Sequence, residues 1–112
     1  MLAVAVSPVP TQLFQDEFGV TLTFEIKLYG LPLDITYATV TLEVDGNPNS
    51  PFTLTPTTNI GEAKYVTKSG DFSAQGSPTW QYPAHVKFVD AYDEFLSDEF
   101  SIYAVLKPTL NL

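Results

Sequence analysis

Residues 28–46 read LYGLPLDITYATVTLEVDG. Leu28 closes an apolar run, and Gly30 and Pro32 then set a corner, since glycine accepts backbone angles other residues avoid and proline fixes its own. In Asp34-Ile35-Thr36 the aspartate can accept a hydrogen bond from the backbone N–H two residues on, closing an Asx turn. Ala38, Val40, Leu42 and Val44 next alternate with Thr39, Thr41 and Glu43, the period of a strand with one buried face. Asp45-Gly46 ends that strand. Strand, corner, strand and turn follow one another without a nucleophile, a metal-ligand pair or a phosphate loop. The stretch decides for β structure and carries no chemistry.

The same period extends in both directions. Val20, Leu22, Phe24, Ile26 and Leu28 alternate with Thr21, Thr23, Glu25 and Lys27. Trp80, Tyr82, Ala84, Val86 and Phe88 form one row, and Phe100, Ile102 and Ala104 another. Weaker rows offer Phe52 with Leu54, and Ala63 with Tyr65. Turn clusters at 45–51, 57–61, 69–78 and 90–94 separate them, and no window holds a helical stripe. The pattern predicts an all-β chain, an antiparallel β-sandwich of immunoglobulin-like size with about seven strands. One domain is expected over residues 1–112, its core at about 18–106, flanked by apolar N- and C-terminal arms.

Of the 112 residues, 45% are hydrophobic and 16% charged, the balance of a globular chain. Net charge is −8, with five basic residues, which argues against nucleic acid and against an anionic membrane surface. Without cysteine there is no disulfide framework and no thiolate chemistry. The start, MLAVAVSPVP, lacks a basic segment and is broken by Pro8 and Pro10, so no signal peptide or membrane helix is expected.

The order Gly30-x-Pro32, Asp34-Ile35-Thr36, the "ATVT" strand with Ala38 and Val40, Gly61-x-Ala63-x-Tyr65, Asp71-Phe72 and Gly76 is informative. It resembles the immunoglobulin-like N-terminal domain of phage baseplate upper proteins and related β-sandwich modules of tailed-phage virions, over roughly residues 18–106. The turn after Phe88, VDAYDEF, departs from the Asp-Gly hairpin of that pattern. The resemblance implies a non-enzymatic structural protein of the virion, assembled in the host cytoplasm and docked in the tail or baseplate. Its implied partners are other virion proteins and further copies of itself in the particle. Capsid decoration or cement is the alternative within that class, and a glycan-binding adhesion module the alternative outside it.

Candidate chemistry is sparse. His85, the only histidine, falls on the polar side of its strand beside Lys87, where a general base would need a nucleophile as neighbour. Asp90, Asp93, Glu94, Asp98 and Glu99 cluster, but no D-x-D-x-D-G loop holds them in calcium-binding order. No metal or cofactor is expected. Tyr29, Tyr92 and Trp80 could stack on sugar rings, although alternation directs Trp80 into the core. Apolar side chains on outward positions, Val66, Val89, Tyr103 and Val105, are the interface candidates, joined by Leu2, Val4, Val6 and Leu110 of the terminal arms. Residues 1–13 and 107–112 are apolar and proline-punctuated, suited to adding a strand to a neighbour's open sheet edge. Equally, Leu2, Val4 and Val6 can form an edge strand of this domain's own sheet.

Overall fold

The computed structural model describes residues 2–9, 11–15 and 17–106, which form no helix. In chain order the strands are β1 (Leu2–Ser7), β2 (Gln12–Phe14), β3 (Thr21–Leu28), β4 (Leu31–Pro32), β5 (Thr39–Val44) and β6 (Phe52–Thr53). They continue with β7 (Thr55–Pro56), β8 (Glu62–Val66), β9 (Thr79–Val89), β10 (Glu94–Leu96) and β11 (Phe100–Val105). These pack as two sheets. One runs β1-β3-β8-β7 with β4 folded onto β3; the other runs β2-β11-β9-β5-β6 with β10 on β9. All pairings are antiparallel except β2 with β11. Several of the eleven strands are two or three residues long, so the count exceeds the seven expected.

The core is the inner row of each long strand. Leu22, Phe24 and Ile26 of β3 meet Val40, Leu42 and Val44 of β5, Tyr82, Ala84, Val86 and Phe88 of β9, and Ile102 and Ala104 of β11. Alternation read from the sequence predicts these positions. Each large side chain fully buried there contributes roughly 1.5–3 kcal/mol.

Turn chemistry sets the corners. Thr36 donates from both its N–H and its hydroxyl to Asp34 Oδ1, at 3.0 and 2.7 Å. Gly61 has φ +75°, and a Cβ there would lie 2.7 Å from the Ile26 carbonyl oxygen, so only glycine fits where its loop crosses β3.

The N-terminal strand decides between the two readings of the first residues. β1 pairs with β3 over six residues, from Leu2↔Leu28 to Ser7↔Thr23, and buries Leu2 and Val6 in this domain's own core. Residues 2–7 are therefore an edge strand and not a free arm. The chain then crosses to the other sheet. Thr11 is buried, its hydroxyl donates to the Pro8 carbonyl at 2.9 Å, and β2 aligns parallel to β11 in the register Tyr103↔Gln12. Residues 107–112, the other expected arm, lie outside the described residues.

Trp80 corrects an expectation. It has core-facing parity, yet it is 42% exposed. The first three residues of β9 are all exposed, although Ala104, the register partner of Trp80 on β11, is fully buried. Alternation fixes the direction of a side chain and says nothing of what covers it. Inward of Trp80 the aromatics pack together: Phe52 stacks on Phe72 at 5.1 Å between ring centroids, Phe72 meets Tyr82 edge-on at 5.9 Å, and Phe52 meets Tyr65 at 5.2 Å.

Candidate functional site

Register fixes which loops share an end of the sandwich. β3 finishes at Leu28 where β1 begins, and β8 begins opposite Glu25. β5 begins at Thr39, opposite Val89, where β9 finishes. A parallel bridge, Leu2↔Ser97, ties the same end of the two sheets together. The 29–30 turn and the loops 33–38, 57–61 and 90–93 therefore lie at one end, the Tyr29 end. Trp80 and the 67–78 loop lie at the other.

The interface candidates divide among separate places. Leu2 and Val6 are core residues. Val4 is half-buried and lines a groove of about 240 Å³ with Val9, Phe100 and Tyr103, between β1 and β11. Val66 is exposed near the Trp80 end of one sheet, and Val89 near the Tyr29 end of the other. Tyr103 and Val105 are half-buried on the outer face beside β2, where Val105 pairs with the exposed Phe14. Leu110 lies outside the described residues.

His85 and Glu43 are cross-strand partners on the outer face, Nε2 to Oε1 at 2.8 Å, and Lys87 pairs with Glu94 at 3.3 Å. Among the described residues no group of three or more His, Asp or Glu side chains is arranged to hold a metal ion. Near the Trp80 end, the Tyr65 hydroxyl donates to Asp71 Oδ2 at 2.6 Å, and the Lys68 N–H donates to the same oxygen at 2.8 Å. Burial, reinforced by the hydrogen bond and charge of Asp71, pushes the Tyr65 phenol well above its usual range.

The sugar-stacking set is not brought together, because Trp80 is at the opposite end from Tyr29 and Tyr92. The Tyr29 end instead holds a group that sequence reading found only in part. Tyr29, Tyr37 and Tyr92 are 81%, 95% and 93% exposed, and Leu31 and Ile60 are exposed beside them. Tyr29 and Gly30 form a two-residue turn between β3 and β4 with φ +52° and +81°. Both angles are positive, as in type I′ hairpins, where asparagine, aspartate or glycine is the usual first residue. Tyr37 follows the Asp34 turn and stands two residues before Thr39. Tyr92 stands three residues beyond Val89, so the Thr39↔Val89 pair sets their loops side by side. Asp90 Oδ1 accepts from the N–H groups of Tyr92 and Asp93 at 2.8 and 2.6 Å and fixes that hairpin. At Asp34 the Thr36 hydroxyl, and after it the Thr36 N–H, holds the carboxyl below its usual range. The available signal was a bulky aromatic inside a turn cluster. Tyr37 lies between the Asx turn and the ATVT strand, outside every turn cluster.

No protein-family model matches the chain, and no curated protein sequence matches it.

Proposed function

We propose that the chain is an immunoglobulin-like, non-enzymatic structural protein of a tailed-phage virion that acts by docking in the tail or baseplate. Residues 18–106 carry the reading, through their resemblance to baseplate-protein sandwich domains. The matched positions fall at corners and strand starts: Gly30 in the tight turn, Asp34 in the Asx turn, Gly61 against the Ile26 carbonyl.

Two features support the immunoglobulin-like part. In chain order the long strands of one sheet are first, third and eighth, and those of the other are fifth, ninth and eleventh, comparable to the ABED and CFG sheets of that fold. The Tyr82 hydroxyl donates to the Ser73 carbonyl at 2.6 Å, tying the start of β9 to the preceding loop as a tyrosine corner does. Docking is favoured over sugar binding because Trp80 and the exposed tyrosines occupy opposite ends.

Mass spectrometry of separated head and tail fractions from purified particles, with sedimentation of the pure protein, is the test. Recovery in tail fractions is expected, with self-association or binding to a virion protein. Recovery in heads assigns a capsid role instead, and a strict monomer absent from particles ends the proposal.

A further inference from the structure

Three tyrosines on three loops at one end of a rigid sandwich do nothing for the fold. Their rings are at least four-fifths exposed, and none of their hydroxyls bonds to another side chain or to the backbone among the described residues. Tyr29 is held at φ +52°, where a bulky side chain is disfavoured. A residue kept at a conformational cost with its ring in solvent points to a role outside the fold. Tyrosine presents a large amphipathic surface with few rotatable bonds, which is why loop-built binding sites are rich in it.

Charge selects the partner. Residues 28–38, 57–61 and 89–94 contain Asp34, Asp90, Asp93 and Glu94 and no lysine or arginine. Lys27, exposed in the groove beside Ile60, is outweighed there by Glu25 and Glu62. Glu94 is paired with Lys87, while Asp34 and Asp90 each use Oδ1 for their turns. Exposed aromatic rings among fixed carboxylates suit a cation, which gains both a π face and a charge-assisted hydrogen bond. Like charge opposes a second copy placed tip to tip, and the same sign opposes a phosphate-bearing surface.

We infer that the Tyr29 end is a protein-docking surface, with Tyr29, Tyr37 and Tyr92 as anchors, for a basic protein segment presenting arginine or lysine. This surface is separate from the sheet faces and arms considered above, and it stands whether or not the chain belongs to a virion.

The probe is a displayed library of random 12-residue peptides, panned on the full chain immobilised through its C-terminus. Selected peptides are compared on wild type, on the triple variant Tyr29→Ser/Tyr37→Ser/Tyr92→Ser, and on Asp93→Lys. Asp93 makes no side-chain hydrogen bond among the described residues, and circular dichroism of each variant should give a wild-type spectrum. Enriched peptides should carry arginine or lysine. They should bind at least tenfold more weakly to the triple variant, and more weakly to Asp93→Lys and in raised salt. Enrichment of neutral or acidic peptides, binding indifferent to the triple variant, or no enrichment overturns the inference. So does glycan-array binding or self-association that the triple variant abolishes, since either assigns the end to a different partner.

Discussion

Gly61 and Gly46 have nearly the same backbone angle, φ +75° and +76°, in different surroundings. A methyl at Gly46 meets nothing within 4 Å, whereas one at Gly61 lies 2.7 Å from the Ile26 carbonyl oxygen and 3.1 Å from Pro32. Gly46→Ala is expected to cost about 1–2 kcal/mol, the left-handed strain alone. Gly61→Ala is expected to cost clearly more, because backbone must also move, and urea unfolding of the two variants checks the order. At Tyr65 the sign of a pH effect follows from the raised folded-state value. A phenol that is harder to ionise folded than unfolded contributes stability fully present below its unfolded value of about 10 and lost as pH rises above it. The urea midpoint of wild type should therefore fall between pH 9 and pH 11 more steeply than that of Tyr65→Phe. Near neutrality the variant should be less stable by about 1–2 kcal/mol through the lost bond to Asp71. Parallel pH curves for the two proteins would refute this account of Tyr65.

Among the strands, β1 is where two readings of the sequence parted. Six pairs with β3 and the burial of Leu2 and Val6 predict that deleting residues 1–10 destabilises the domain by several kilocalories per mole or prevents folding. A truncated protein that melts at the wild-type temperature would show that the sheet does not need this strand. Within the other sheet, Leu42 and Val86 are paired in register and fully buried, so Leu42→Ala should cost about 2–5 kcal/mol by thermal or urea unfolding. The inner rows of β3, β5, β9 and β11 were legible because side-chain direction along a strand is local. Pairing was not legible for β1 and β2, since an apolar hexapeptide followed by proline fits a neighbour's sheet edge as well as its own. Trp80 was misplaced for a related reason: parity gives the direction of its side chain, and its 42% exposure depends on tertiary neighbours that parity does not specify. The candidate site was half legible. Tyr92 stands in a turn cluster and Tyr29 just before the Gly30-x-Pro32 corner, but their company with Tyr37, Leu31 and Ile60 exists only once four loops are gathered at one end.

At the scale of the whole molecule, that gathering makes the two ends of the sandwich chemically different. Toward one end Phe52, Tyr65, Phe72 and Tyr82 pack their rings against one another, and the other end presents its aromatics to solvent among carboxylates. The crossing of the N-terminal segment between sheets adds a mechanical consequence. Leu2 lies at the Tyr29 end, while Leu106, whose N–H donates to the Pro78 carbonyl at 2.9 Å, lies at the Trp80 end. Tension applied through these two residues runs along β1 and β11, roughly perpendicular to the ladder hydrogen bonds that join β1 to β3 and β2 to β11. Those bonds are loaded together in shear and must fail together, instead of opening one at a time as in a peeled hairpin. Single-molecule stretching through handles at residues 2 and 106 should thus require a higher unfolding force than stretching through residues 9 and 106, where β1 lies outside the stretched segment and is not loaded in shear. Equal forces in the two geometries would remove the crossing as a mechanical clamp. With it, a neighbour attached beyond either residue would pull against a sandwich that resists extension along its length.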